Sequence, residues 1–399
     1  MGHIGHWKLD LSCAYSLSVA GCTVKLKAPS QLPLNASKPV DHAFASFSWP
    51  VHFFADYAGN KSHPNHFSQD IVNLLYKKTG AHPHIRVGGT SADRAIYNET
   101  QDQSIILSEE SGNGIPNKVS LGPVFFEGFD NFPDTPWTFQ VNLANNKADR
   151  LEHALTEARV ALSHIRGNLV AFEIGNEPDL YPGDVRPASY TVADYVREWR
   201  EYADAISEHV LKGNRARAFE DGVDDDGHVK LVSWHQYASG NQDWVRLQES
   251  FMNHTATAAN LTQYIGDMDV IHARNPNITF LLGETNSDYV NLNMSQVEGV
   301  FGSSLWLVDY LLFGLSVAPQ VRAPFYGQVV AADAIGRHRT VQVKSLELDR
   351  EDLSAYAIYE SERLARARRS KALKVNDALK WAQKDLSYET PVPPTQANI

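Results

Sequence analysis

Two carboxylates close two apolar runs. "LVAFEIGNE" (169–177) ends on Glu177, and "ITFLLGE" (278–284) ends on Glu284. A short apolar run bounded by turn residues reads as a buried strand. In most proteins a glutamate at a strand end is a solvated cap or half of a structural ion pair. Two of them, 107 residues apart, suggest another role if both strands end at one face. Glycoside hydrolysis needs two facing carboxyls. One is protonated to donate to the leaving oxygen, and the other is ionised to attack the anomeric carbon. Their surroundings must push the two pKa values apart. Asn176 and Pro178 flank Glu177. The amide is placed to bond a sugar hydroxyl, and the proline, with its fixed φ, shapes the turn that aims both.

Six runs have this strand character: "HAFASFSW" (42–49), "HIRVGG" (84–89), "WTFQVNL" (137–143), "LVAFEIGNE", "VKLVSWHQY" (229–237) and "ITFLLGE". Helix-like stretches lie between many of them. "HFSQDIVNLLYKKTG" stops at Gly80 after two lysines, a helix-end signal. "KADRLEHALTEARVALSHIRGN" and "VADYVREWREYADAISEHVL" have apolar residues at helical spacing, and "VFGSSLWLVDYLLFGLS" (300–316) reads as a buried helix. Alternating strands and helices imply a parallel sheet. The chain's 399 residues accommodate a barrel of roughly 250 to 300 residues and a smaller module. The expected fold class is therefore α/β, a (β/α)8 TIM-type barrel, in which strand C-termini share one mouth.

The C-terminal part reads differently. "VQVKSLELD" (341–349) and "LSAYAIYES" (353–361) form a strand pair with no helix between them, and "TVKLKAPS" (23–30) offers a further strand. They suggest a small, incomplete antiparallel β-sandwich module. "RLARARRSKALK", from Arg363, has six cations and no acid, and reads as a solvated surface helix or frayed tail. The expected divisions are an N-terminal segment (1–39), the barrel (40–336), a β-sandwich remnant (337–362) and a basic tail (363–399).

Composition narrows the partners. The chain is 43% apolar and 21% charged, with net charge −11. Nucleic acid is excluded as an expected partner, because phosphate binding needs a basic footprint. No apolar run reaches the roughly 18 residues of a membrane span. Cys13 and Cys22 are the two cysteines. They could pair, but they form neither a disulfide framework nor a metal pattern. Asn-X-Ser/Thr occurs at Asn35, Asn60, Asn98, Asn253, Asn260, Asn277 and Asn293. This leans towards an extracellular, secreted glycoprotein, although "SCAYSLSVAGC" after Asp10 makes no clean signal peptide.

Four ordered motifs make the reading specific: "IRVGGTSAD" (85–93), "FEIGNEPDLY" (172–181), "WHQY" (234–237) and "LLGETNSDY" (281–289). Together they resemble glycoside hydrolase family 79, the β-glucuronidase and heparanase-like family. "DYAGNKSHPNHFS" (56–68) resembles its fungal members. The resemblance spans about residues 40–316, with a weaker return at 323–362. It implies a barrel carrying a β-sandwich and a retaining mechanism without metal or organic cofactor. Glu177 matches the family's acid/base and Glu284 its nucleophile, which a retaining enzyme holds roughly 5 Å apart. Asn176 is implied at the 2-hydroxyl and Tyr237 as a hydrogen bond to Glu284. His235 is implied as a brace behind the pair, unless it is structural. Tyr289 matches a position where the sugar carboxylate binds. Gly89 and Thr90 match a turn that contacts the sugar.

Three features depart from the family. Ser48-Trp49-Pro50 stands where fungal relatives carry Ser-Ile-Glu, so a proline replaces a carboxylate lining the sugar site. Tyr289-Val290-Asn291 stands where glycines are common. "VAPQVRAPFYGQVVAADAIG" follows the buried helix directly, with no counterpart of the eighth strand. The expected activity is an exo-β-glucuronidase releasing glucuronic or 4-O-methylglucuronic acid from glycans. Two alternatives stand beside it: an endo-acting, heparanase-like enzyme, and an inactive carbohydrate-binding protein.

Overall fold

A computed structural model describes residues 13–19, 22–110, 114–211, 229–240, 244–289, 297, 299–317, 325–337, 340–348, 354–361 and 363–369. A hairpin comes first, formed by β1 (Cys13–Val19) and β2 (Cys22–Ala28). Its register sets Cys13 opposite Ala28 and Cys22 opposite Val19. At about 3.3 Å per residue the cysteines sit about 20 Å apart, far beyond disulfide reach.

All six expected parallel runs form strands. β3 (Phe47–Pro50) and β4 (Ile85–Gly88) lead to a small sheet of β5 (Ala95–Tyr97), β6 (Ile105–Glu110) and β7 (Pro116–Leu121). The parallel series resumes with β8 (Trp137–Val141), β9 (Leu169–Ile174), β10 (Leu231–Ser239) and β11 (Thr279–Asp288). The order β3-β4-β8-β9 makes one parallel sheet, and β10-β11 makes another. These are six strands of a (β/α)8 barrel. The stretch where the eighth strand was expected to be lacking, 318–324, lies outside the described residues, as does 212–228 between β9 and β10.

Nine helices are described: α1 (Val51–Ala58), α2 (His66–Thr79), α3 (Pro123–Asp130), α4 (Arg150–Ile165), α5 (Val192–His209), α6 (His254–Thr262), α7 (Ile265–Arg274), α8 (Phe301–Val317) and α9 (Phe325–Ile335). None is long and apolar enough to cross a membrane. α2 begins on Asn65, whose side chain accepts from Ser68 N, and ends on Gly80 in the left-handed region. Parallel strands are covered on both faces, and β4 and β8 are buried throughout. Phe54, Phe125, Phe126, Phe129 and Trp137 fill the space beneath α1 and α3. Each such burial contributes roughly 1.5–3 kcal/mol. Trp49 joins this cluster, 6.0 Å from Trp137 and 5.6 Å from Phe132 between ring centroids. Pro50 caps α1 directly. The stretch that departs from the family's acidic strand end is thus used for packing.

The C-terminal part is a three-stranded antiparallel sheet, β12 (Val341–Leu346), β13 (Ala355–Glu360) and β14 (Arg363–Arg369). β14 corrects the expectation of a basic helix or tail. The open edge of β13 takes it up through a tight turn at Ser361, φ 48°, and edge pairing overrides local propensity. Residues 370–399 lie outside the described residues. The expected strand at 23–30 forms as β2, but it pairs with β1. Ala28 packs against Ala357 and Tyr359. A buried carboxylate ties the sheet to the barrel. Asp309, the one charged residue of α8, accepts from Tyr356 Oη at 2.5 Å and lies 3.1 Å from His254 Nδ1 on α6.

Candidate active site

Glu284 is aimed by a slip in strand pairing. β10 and β11 place Trp234 opposite Leu282, then His235 opposite Glu284. Gly283 is left over, as in a β-bulge, which re-aims the side chains beside it. Glycine makes room there: a Cβ would lie 1.9 Å from Ser233 Oγ and force that side chain to move. Glu177 is aimed by a turn. Gly175 follows β9 at φ 78°, and Glu177 itself is left-handed at φ 46°, ψ 57°. That conformation costs a non-glycine residue about 1–2 kcal/mol. Pro178 then opens the short 3-10 turn Pro178–Leu180.

The slip and the turn converge. An oxygen of Glu177, a ring nitrogen of His235 and an oxygen of Glu284 all lie within 4.8 Å of one another. His235 Nδ1 is 2.8 Å from Glu177 Oε1 and 3.9 Å from Glu284 Oε2. His235 therefore stands between the carboxylates, where the sequence suggested a brace behind them. Tyr237 Oη donates to Glu284 Oε1 at 2.5 Å. Arg86 Nη1 donates to Glu284 Oε2 at 2.6 Å.

The environments of the two acids differ. Burial alone would raise the Glu284 carboxyl. The charges of Arg86 and His235, with hydrogen bonds from Tyr237 and Arg86, outweigh it and hold the group below the usual carboxylate range. Burial, then the Glu284 charge, push the Tyr237 phenol far up, so it remains a donor. Burial opposes the Arg86 charge too, but Glu173 and Glu284 overcome it. Glu177 accepts from Asn176 Nδ2 at 3.3 Å besides its His235 contact.

The eight residues singled out in the sequence gather at the C-terminal ends of β4, β9, β10 and β11. Asn176 is buried, and its carbonyl accepts from Arg86 Nη2 at 2.8 Å. Gly89, at φ 86°, donates its N–H to Gln140 Oε1 at 2.7 Å, and a Cβ there would stand 3.7 Å from Glu284 Oε2. Thr90 is half-buried in the same turn. Tyr289 is exposed, its ring edge-on to Tyr237 at 5.9 Å. Val290 and Asn291, which stand where the family commonly has glycines, lie outside the described residues.

A β-glucuronidase of Aspergillus niger is 32% identical over 395 residues, covering 84% of this chain and 73% of the relative. The chain belongs to the fungal β-glucuronidase family, glycoside hydrolase family 79. A β-glucuronidase of Neurospora crassa is 30% identical over 404 residues, covering 83% and 72%. No family model matches the chain. Among solved structures, a 4-O-α-L-rhamnosyl-β-D-glucuronidase from Fusarium oxysporum superposes with a TM-score of 0.69 at 21% identity, over 85% of this chain and 79% of that one. A family 51 α-L-arabinofuranosidase from Bifidobacterium longum gives 0.51 at 14% identity, over 84% and 82%. These two show the barrel fold.

Sequence reasoning missed the hub of this family site. Arg86 is 1% exposed. Besides Glu284 and Asn176, it donates to Glu173 Oε2 at 2.5 Å and Oε1 at 3.0 Å, to Ser48 Oγ at 3.0 Å and to Gln140 Oε1 at 3.2 Å. One signal was available: an arginine inside the apolar run "HIRVGG" must be paired if the run is buried. The fold also groups three potential metal ligands, Glu177, His235 and Glu284, where the sequence showed no ligand cluster. Both Glu284 oxygens already accept hydrogen bonds from Arg86 and Tyr237. A cation there would compete with a buried guanidinium.

Proposed function

We propose that the protein is a retaining exo-β-glucuronidase that releases glucuronic or 4-O-methylglucuronic acid from glycans outside the cell. The observation that supports this best is the close, unequal carboxylate pair in a chain of the β-glucuronidase family. Retaining glycosidases hold their carboxyls about 5–5.5 Å apart and inverting ones about 6.5–9.5 Å apart. Carboxyl oxygens that approach within 4.8 Å of each other fit the retaining class. Glu284, kept ionised by Arg86, attacks the anomeric carbon. Glu177 protonates the aglycone oxygen, and the glycosidic bond breaks. Glu177 then takes a proton from water, whose oxygen attacks the glycosyl-Glu284 ester and frees the sugar. Asn176 faces the 2-hydroxyl and Tyr289 the sugar carboxylate. Exo action fits the net charge of −11, because an endo-acting enzyme on acidic chains favours a long basic cleft.

The test is nitrophenol release from nitrophenyl β-D-glucuronide, with the β-glucoside and β-galactoside as controls. Turnover confined to the glucuronide is expected. Soluble, folded protein that turns over none of the three would overturn the reading and leave an inactive carbohydrate-binding protein.

A further inference from the structure

The left-handed Glu177 needs something to hold it. Within the turn from Gly175 to Tyr181, Leu180 N donates to Glu177 O at 2.9 Å, and only two longer bonds add to it, Tyr181 N to Pro178 O and Asn176 N to Tyr181 Oη, each at 3.3 Å. The remaining hold comes from elsewhere in the chain. Asp93, in the 3-10 turn Ala92–Arg94 after β4, accepts at Oδ2 from Asn176 N at 3.0 Å and from Tyr181 Oη at 2.6 Å. These donors flank Glu177 on either side in the chain. At Oδ1, Asp93 accepts from Gln140 Nε2 at 3.1 Å. Gln140 Oε1 in turn accepts from Gly89 N and from Arg86 Nη2. One continuous set of hydrogen bonds thus runs from the acid's turn to the guanidinium that holds Glu284.

We propose that Asp93 is a positioning residue for the proton donor, its carboxylate stapling the two ends of the Glu177 turn and tying them through Gln140 to the Gly89 turn and Arg86. The staple acts through Glu177, so the inference rests on the reading of Glu177 as acid. Burial pushes the Asp93 carboxyl up to about 7, against hydrogen bonds from Tyr181, Asn176 N, Leu143 N and Gln140 that pull it down. A carboxyl this costly to bury is explained by the donors it organises. The charged group beyond Tyr181 is Arg186, whose guanidinium lies 5.8 Å from that ring's centroid.

A general acid held askew penalises poor leaving groups, because only they need a full proton in the transition state. The test measures kcat/KM, which reports the step in which the leaving group departs, for methyl and nitrophenyl β-D-glucuronide in Asp93→Asn and Tyr181→Phe. Asp93→Asn should lower kcat/KM about 100-fold on the methyl glycoside and less than about tenfold on the nitrophenyl one. Tyr181→Phe removes one donor and should show a smaller effect of the same kind. Hydrogen exchange of the peptide spanning 172–181 should quicken in both variants. If Asp93→Asn does not fold, Tyr181→Phe decides alone. Equal losses on both glycosides, or unchanged exchange, would overturn the staple. If wild type cleaves neither glycoside, the proposed function fails, while exchange still reads the staple directly.

Discussion

The two acids of this site are held in opposite ways. Glu284 lies within a strand, and side-chain charge and hydrogen bonds fix it: Arg86 on one oxygen, Tyr237 on the other. Glu177 lies on a strained turn: only His235 and Asn176 touch its carboxylate, and Asp93 holds the chain on either side of it. A nucleophile gains from a fixed, lowered pKa. An acid that must give up and recover a proton gains from fixed geometry without a neighbouring guanidinium. The fold supplies each with the restraint that its proposed role requires.

The largest expected break is Glu284→Gln, which should cut kcat by roughly 10⁴-fold or more on every glucuronide. Arg86→Met should come next. It leaves Glu173 and Glu284 without their shared cation, so urea unfolding should show a loss of about 3–5 kcal/mol. It should also move the acid limb of the pH–rate profile to higher pH, since Glu284 must be ionised to attack and Arg86 helps hold its carboxyl low. By linkage, the depressed Glu284 carboxyl stabilises the wild-type fold above its unfolded pKa, and that contribution is lost as pH falls.

Glu177→Gln should discriminate where Glu284→Gln does not. It should lower kcat/KM for methyl β-glucuronide by about 10²–10³-fold, and for an aryl glucuronide with an excellent leaving group far less. Equal losses would sink the acid assignment. The smallest effect concerns a third carboxylate, Glu157 on α4, which has no place in the proposed chemistry. Burial pushes its carboxyl up to about 8. A raised carboxyl pKa costs stability as pH climbs from the unfolded value through the folded one. Glu157→Gln should therefore raise Tm at pH 8 by about 2–4 °C, with the gain closing towards pH 4.

The sequence made the strands and both glutamates legible because each is a local pattern. Six apolar runs and their polar ends need no tertiary knowledge, and neither does the stop at Gly80. What it hid is relational. The slip at Gly283 depends on the register of β10 against β11. The role of Arg86 depends on five side chains from four strands and a turn. The small sheet β5-β7-β6 leaves Ile106 and Leu107 exposed while Val119 and Leu121 are buried, so no clear alternation marks it. β14 was read as a helix or tail because its composition is basic, whereas its structure is set by the edge it meets.

The central claim is that Glu284 is the nucleophile of a retaining mechanism and Glu177 its partner. An activated 2-deoxy-2-fluoro-β-glucuronide tests it most directly, since slow hydrolysis of the covalent ester lets the intermediate accumulate for peptide mass analysis. The account predicts one fluoroglucuronyl group on the peptide containing Glu284, with its formation lost in Glu284→Gln. A label on Glu177, or no label from protein that turns over nitrophenyl glucuronide, would contradict it.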